Sequence, residues 1–272
     1  MTALKERRWY GGVLAPEVRY LSARLEIRSI FAAINQALRP SPCIWVLTAC
    51  MTVSQLAAAQ APPVSAAPAG RFVVVLDAAH GGDDAGGRLG NGQAEKAFTL
   101  ALSVRLRSLL AARGIQVTTT RESDATVDLN RRAEIANHAN AQACLSLHGS
   151  ESGSGVHLFV SSMAPVQPAR FAPWKTAQAA WVTRSLALAG TLNSALLQAG
   201  MTVTLGRTSL PAVDSMTCPA VAVEIAPERD VGKKLIAELD DPGYQARVAE
   251  TLAAALLEWR TDAWRTTEAH QP

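Results

Sequence analysis

The stretch FVVVLDAAHGGDDAGGRLGNGQAE, residues 72–95, decides the fold and contains the first candidate functional residues. Its apolar beginning, Val73 to Leu76, is typical of a strand that is buried on both faces of a parallel sheet. The strand ends in Asp77, followed shortly by His80 and two glycines. Because ligands in open α/β sheets bind at the carboxyl ends of the strands, His80 is a candidate for chemistry rather than for packing.

The remainder of this stretch predicts a loop followed by a helix. Residues 81–94 are too rich in glycine for a regular element, so we expect them to form a loop that returns Glu95 towards His80. From Glu95 to Arg113 the apolar residues recur at three- and four-residue spacing, which predicts an amphipathic helix that stops at Gly114. Apolar patterns also predict a helix over about residues 176–199 and another over 230–264, the latter with Leu235 and Ile236 among its packing residues.

Two further apolar runs end in residues that can do chemistry. Residues 143–148, ACLSLH, end in His148, and residues 219–225, PAVAVEI, carry Glu224 near their end. Two imidazoles and one carboxylate are a usual ligand set for a catalytic zinc ion, with the fourth position left for water. A further carboxylate beside that water is what proton transfer requires.

Together these segments resemble the zinc-dependent N-acetylmuramoyl-L-alanine amidases. The resemblance rests on His-Gly-Gly at residues 80–82, Glu-Lys at 95–96, Ser-Leu-His at 146–148 and Pro-Ala-Val-Ala-Val-Glu at 219–224. It spans residues 72 to about 259.

The resemblance assigns a role to each candidate residue. It implies that His80, Glu95 and His148 bind one Zn²⁺ per chain and that Glu224 is catalytic, taking the proton of the attacking water and returning it to the leaving amine. It also implies that the substrate is peptidoglycan, cut between the muramic-acid lactyl group and the L-Ala of the stem peptide. The Asp77 carboxylate, three residues before His80, is expected to accept a hydrogen bond from the N–H of a ligand imidazole.

Other polar residues have alternative interpretations. His157 lies early in a predicted strand, so we expect it to be hydrogen-bonded near the site rather than metal-bound. Arg131 and Arg132 are expected on a solvated or salt-bridged helix face, the alternative being that they brace the helix or touch substrate. Arg207 and Asp214 could equally contact substrate or be ordinary surface residues.

Two cysteines, Cys144 and Cys218, lie in or beside buried strands of the predicted domain. An exported protein could oxidise them, but their spacing shows no disulfide framework, so we expect free buried thiols.

Composition favours one globular domain. With 49% apolar and 18% charged residues, the chain can bury a sizeable core. We expect a single α/β catalytic domain over residues 71–264, with a twisted, mostly parallel sheet of about six strands and helices on both faces, followed by a polar tail over 265–272. The excess of positive charge lies within residues 1–70, so the near-neutral domain gives no reason to expect nucleic-acid binding.

The first 70 residues read as targeting sequence. Residues 1–61 are interpreted as an N-terminal extension and signal peptide, with an apolar run over 44–56 and cleavage after Ala59, and residues 62–70 as a Pro/Ala-rich linker. We therefore expect an exported protein of the periplasm or cell envelope, with no stable membrane span in the mature chain. Cys50 gives the alternative of a lipoprotein. The sequence does not reveal regulators.

Two other functions compete with amidase activity. A different zinc peptidase, such as a carboxypeptidase, would share the metal ligands and would be separated only by its products. A non-catalytic wall-binding module would not need His80, Glu95, His148 and Glu224 together, and metal analysis would find no zinc.

Overall fold

The computed structural model describes residues 71–90, 92–167, 173–230 and 232–268, with side chains described as far as residue 262. The expected signal peptide and linker, and the last four residues of the tail, lie outside this part of the chain, so those predictions stay predictions. Within the described residues, no helix is both long enough and apolar enough to cross a membrane.

Strands and helices alternate through most of the domain. The strands are β1 Val73–Ala78, β2 Gln116–Thr119, β3 Ala143–Gly149, β4 Val156–Ser161, β5 Val203–Thr208, β6 Ala220–Ile225, β7 Glu228–Arg229 and β8 Leu235–Ala237. The helices are α1 Glu95–Ala111, α2 Leu129–His138, α3 Val182–Gln198, α4 Pro211–Asp214 and α5 Pro242–Glu268, with a 3₁₀ helix at Trp174–Ala180 between β4 and α3.

Six strands form one sheet in the order β2-β1-β3-β6-β4-β5. The pairs from β2 through β1 and β3 to β6 are parallel, whereas β4 is antiparallel to β6 and β5 is parallel to β4. The predicted mostly parallel sheet of about six strands is confirmed. Its carboxyl edge brings together the ends of β1, β3 and β6, which are the three runs that carry the candidate residues.

Helices cover both faces of the sheet, as predicted. Alternate residues of β1 belong to two separate cores: Val74 and Leu76 to the larger, Val73 and Val75 to the smaller. The larger core includes apolar residues of α1, α3 and α5, and the smaller includes residues of α2 and α4. The central strands β1, β3 and β6 are therefore buried on both sides, which explains their continuous apolar runs.

The predicted extent of two helices is wrong. We expected a helix from about residue 176, but α3 begins at Val182, because the preceding turns are a separate 3₁₀ helix. We also expected residues 230–264 to be helical, with Leu235 and Ile236 packed inside. Instead β7 and β8 form a hairpin in which these side chains are 38% and 61% exposed, and α5 starts at Pro242, a residue suited to a first helical turn.

The expectation of free thiols is also wrong, because Cys144 and Cys218 form a disulfide with Cα atoms 6.2 Å apart. The parallel pairing of β3 with β6 explains it. The N–H of Cys144 donates to the carbonyl of Pro219, which places Cys218 beside it although the two cysteines are 74 residues apart in sequence.

Candidate metal centre

The glycine-rich loop after β1 folds back on itself and delivers Glu95 to His80. The N–H of Glu95 donates to the carbonyl of Gly87 at 2.8 Å, and the N–H of Gly87 donates to the Glu95 carboxylate at 2.9 Å. The loop backbone then packs directly against the candidate ligands. A Cβ at Gly86 would lie 2.6 Å from the His80 ring and 2.8 Å from the Glu95 carboxylate, so a side chain has no room there.

Three side chains converge at the carboxyl edge of the sheet. One ligand atom from each of His80, Glu95 and His148 lies within 4.8 Å of the others, which makes them a group that could hold a metal ion. Nε2 of His80 is 3.2 Å from one Glu95 oxygen, and Nδ1 of His148 is 3.1 Å from the other. The two imidazole rings meet edge to face, with their centroids 5.6 Å apart.

Partners on the far side of each ring orient the imidazoles. Nδ1 of His80 is 2.8 Å from the carboxylate of Asp84, and Nε2 of His148 is 3.4 Å from the hydroxyl of Ser146. With the ring protons on these two contacts, His80 Nε2 and His148 Nδ1 are the atoms left to bind a metal; in the other tautomer, His148 Nδ1 donates to Glu95 Oε1 at 3.1 Å. The hydrogen bond from His80 also lowers the pKa of Asp84.

Glu95 is buried and charged. Burial raises the pKa of its carboxyl, but hydrogen bonds from His148 and from the N–H groups of Gly87 and Gly149 outweigh burial and lower the pKa to about 2. The side chain is therefore an anion at neutral pH, as a metal ligand must be.

Asp77 does not contact an imidazole, so the expectation of a direct bond is wrong. Its buried carboxylate accepts hydrogen bonds from Thr120 Oγ1 and Ser146 Oγ, each at 2.8 Å, and from Arg132 at 2.7 Å. Because Ser146 uses its proton on Asp77, its oxygen is free to accept from His148. Asp77 is thus connected to His148 through the Ser146 hydroxyl. Ser146 and His148 are two residues apart on β3, so their side chains lie on the same face of the strand.

Arg132 is salt-bridged, as one form of the expectation allowed, but it is buried and does not lie on a solvated helix face. It is 4% exposed and forms an ion pair with Asp77, whereas its neighbour Arg131 is 60% exposed and pairs with Glu134 on the surface. The Arg132 guanidinium also donates to the carbonyl of His80 at 2.6 Å. His80 has φ of 61°, a left-handed conformation that non-glycine residues adopt at a cost, and this contact holds it there.

A second buried arginine supports the same loop, and sequence reasoning missed it. Arg121 donates to the carbonyls of Ala78, Ala79 and Lys96, and also contacts the hydroxyl of Thr99. Burial lowers the pKa of Arg121. Its position directly after β2 was the available signal, since that strand ends beside β1 at the carboxyl edge.

Glu224 lies beside His148, one of the three converging residues, on the neighbouring strand. In the register of the sheet it pairs with His148 on β3 and with His157 on β4. Directly paired residues project from the same face, so these three side chains form a row. His157 is hydrogen-bonded to Thr204 at 2.5 Å, as expected, and lies outside the converging group.

Arg207 and Asp214 make hydrogen bonds to backbone groups of the protein. Arg207 donates to the carbonyls of Ser161 and Met163. Asp214 is buried and accepts from the N–H of Leu210 at 3.0 Å. Arg207 is exposed, as expected of a surface residue, whereas Asp214 is buried, which neither alternative anticipates.

A cleft of about 310 Å³ opens beside the converging side chains. His80, Ser146 and His148 line one part of it, and Leu129 and Ala212 line another. The wall thus combines candidate ligands with apolar residues, as in sites for small organic groups.

The fold and this geometry define an α/β domain with a candidate metal centre at the carboxyl edge of its sheet. The sequence model of the N-acetylmuramoyl-L-alanine amidase family matches residues 74–258, so the chain belongs to that family.

Individual relatives agree with this membership. The chain is 42% identical over 79 residues to N-acetylmuramoyl-L-alanine amidase AmiA of Escherichia coli, an overlap of 29% of this chain and 27% of the relative. It is 37% identical over 90 residues to the sporulation-specific N-acetylmuramoyl-L-alanine amidase of Bacillus subtilis, covering 32% and 35% respectively. These matches thus span about a third or less of the length of those two relatives.

Solved structures share the fold over nearly their whole length. The catalytic domain of CwlV, an amidase from Bacillus (Paenibacillus) polymyxa var. colistinus, superposes with a TM-score of 0.54 and 26% identity, covering 69% of this chain and 97% of that one. Ami1 of Mycobacterium smegmatis gives a TM-score of 0.56 at 20% identity, covering 70% and 97%, and shows a common fold.

Proposed function

We propose that the domain is a zinc-dependent N-acetylmuramoyl-L-alanine amidase, which hydrolyses the amide between the lactyl group of N-acetylmuramic acid and the L-alanine of the peptidoglycan stem peptide. The observation that carries the proposal is the convergence of His80, Glu95 and His148 beside Glu224, in a chain that belongs to this family.

The donor set fits zinc. Two imidazole nitrogens and one carboxylate oxygen are the protein ligands of many catalytic zinc sites, and the two histidines have the outer hydrogen-bond partners that such ligands usually have. His80, Glu95 and His148 would hold the ion. Zinc bound there would supply Lewis-acid polarisation of the scissile carbonyl and would acidify the attacking water.

The two glutamates are suited to different tasks. Glu95 accepts hydrogen bonds on both carboxylate oxygens and has a pKa of about 2, so it is a poor acceptor for a proton at neutral pH. Glu224 is partly exposed and lies beside His148 in the sheet register. We therefore assign to Glu224 the removal of the proton from water and its delivery to the nitrogen of the leaving amine.

The disulfide supports a location outside the cytoplasm. Disulfides such as Cys144–Cys218 persist mainly in oxidising compartments, and peptidoglycan lies outside the membrane. We propose that the protein is exported to the periplasm or cell envelope after cleavage at Ala59. N-terminal sequencing of the exported protein tests this: an intact Met1 in the cytoplasm contradicts export, and a lipid-modified Cys50 favours a lipoprotein instead.

Mass spectrometry of digested muropeptides tests the activity. The purified protein should release free stem peptides and leave peptide-free glycan, and a chelator should stop the reaction until zinc is restored. Loss of a terminal residue from the stem peptide would indicate a carboxypeptidase instead. Binding to sacculi with no product, together with no bound zinc, would indicate a wall-binding module.

A further inference from the structure

A second pocket, of about 280 Å³, lies along the side of α2. Its lining residues are Asn130, Ala133, Glu134, Asn137 and Trp174. Trp174 is a large apolar side chain, yet it is 51% exposed. An indole that presents about half of its surface to solvent, beside amide and carboxylate side chains, is a combination that packing does not explain.

The segment that carries Trp174 is anchored to the core a few residues further on. Trp174 begins the 3₁₀ segment, whose backbone is kinked at Thr176, and Gln178 lies beyond the kink and is fully buried. The Gln178 amide donates to the carbonyls of Met216 and Cys218 at 2.9 and 3.1 Å, and Cys218 is bonded to Cys144 in the central sheet. The chain is therefore held to the core within four residues of the indole, which limits the ordering cost of using the ring as a platform.

Helix α2 contributes different residues to the pocket and to the metal-centre cleft. Leu129 and Ala212 line the cleft, whereas Asn130 and Ala133, farther along the same helix, line the pocket. Helix α4 packs against both α2 and the 3₁₀ helix. At 1.5 Å per residue, the part of α2 that lines the pocket, from Asn130 to Asn137, is about 10 Å long.

We propose that this pocket is a saccharide subsite that binds one pyranose ring of the glycan strand. The bound sugar is the neighbour of the muramic acid whose amide lies in the metal-centre cleft. The proposal rests on the amidase function. The C–H groups of one pyranose face pack against an indole face, and the polar groups of Asn130 and Glu134 are positioned to bond ring hydroxyl or acetamido groups. Asn137 is already bonded to Ser215 and Thr217 and forms a fixed wall.

The chemistry favours sugar over the stem peptide. Stem peptides carry carboxylates, and none of the described lining residues is cationic; the charged residue of the lining, Glu134, is an anion that is already paired with Arg131. Lys175 lies outside the lining, with its ammonium 5.5 Å from the centre of the Trp174 ring, so the sugar occupies the indole face that Lys175 leaves open.

Kinetics on two substrates test the subsite. For Trp174→Ala, KM for polymeric peptidoglycan should rise roughly 2- to 10-fold, as expected for loss of one aromatic contact, while turnover of a muramoyl peptide without neighbouring sugars stays unchanged. Trp174→Phe should restore most of the affinity. Leu197→Ala, at a residue of similar exposure (53%) on α3, is the matched control and should behave as wild type on both substrates.

A binding experiment separates failure of the subsite from failure of the function. A peptide-free oligomer of N-acetylglucosamine should bind the wild-type protein and the Leu197→Ala variant, and should bind Trp174→Ala more weakly, whether or not the protein is an amidase. If the wild type does not bind the oligomer, or if Trp174→Ala changes neither binding nor KM, the subsite is overturned. Absence of hydrolysis with intact oligomer binding would overturn only the amidase proposal.

Discussion

Replacement of the adjacent residues Arg131 and Arg132 by alanine compares an exposed ion pair with a buried one. Arg131→Ala removes a pair in which both side chains are more than half exposed, and such pairs contribute about 0–1 kcal/mol. Arg132→Ala leaves the Asp77 carboxylate, 2% exposed, without its cationic partner. Breaking a buried pair in this way costs about 3–5 kcal/mol, because one charge stays buried and uncompensated.

Thermal unfolding followed by circular dichroism measures the difference. For a domain of this size each 1 kcal/mol shifts Tm by about 2–4 °C, so Arg132→Ala should lower Tm by roughly 6–20 °C and Arg131→Ala by no more than about 4 °C. Adding Asp77→Asn to Arg132→Ala removes the uncompensated charge and should recover part of the loss. Equal effects of the two arginine substitutions would refute the role we give to burial.

The same substitution should weaken metal binding in protein that is still folded. Arg132 donates to the carbonyl of His80 and, through Asp77 and Ser146, is connected to His148. Loss of outer-shell contacts typically reduces metal affinity 10- to 100-fold. Zinc titration well below the Tm of the variant should give this reduction for Arg132→Ala and none for Arg131→Ala; unchanged affinity would limit Arg132 to a role in stability.

Three further predictions concern the surroundings of the centre. Gly86→Ala should reduce zinc occupancy in a metal assay, because its Cβ would lie 2.6 Å from the His80 ring and the residue has φ of +66°; normal occupancy would mean that the loop adapts. His157→Ala should retain about the wild-type zinc content, since His157 lies outside the converging group, and loss of zinc in folded protein would make it a ligand. Replacing both Cys144 and Cys218 by serine should lower the free energy of unfolding in urea by about 2–5 kcal/mol, and an unchanged midpoint would show that the bond contributes nothing.

The sheet and the meeting of the candidate ligands could be anticipated because each depends on a local signal. Buried parallel strands are continuous apolar runs, and their carboxyl ends lie at one edge of the sheet. That edge brings the residues after β1, β3 and β6 together without any knowledge of side-chain contacts. The glycine-rich loop predicted the return of Glu95 in the same way. The role of these residues as zinc ligands stays a prediction.

The features that sequence missed depend on contacts between distant segments. Nothing near Arg132 indicates that its helix faces Asp77, 55 residues earlier, and nothing near Cys144 indicates Cys218. The hairpin of β7 and β8 was mistaken for helix because Leu235 and Ile236 extend an apolar pattern that continues in α5. The side chains of Leu235 and Ile236 are exposed in a short two-stranded sheet, so the apolar pattern predicts burial that does not occur there.

Zinc content and turnover of Glu224→Gln, measured on one preparation, test the central claim most directly. The amide keeps the size of the carboxylate but cannot accept the proton of water, so zinc should stay at about one per chain while turnover falls about 10²-fold or more. His148→Ala, on the neighbouring strand, should lose zinc and turnover together. If Glu224→Gln loses its zinc, Glu224 is a ligand and Glu95 must be reassigned; if it keeps normal turnover, another residue is the base and the mechanism is wrong.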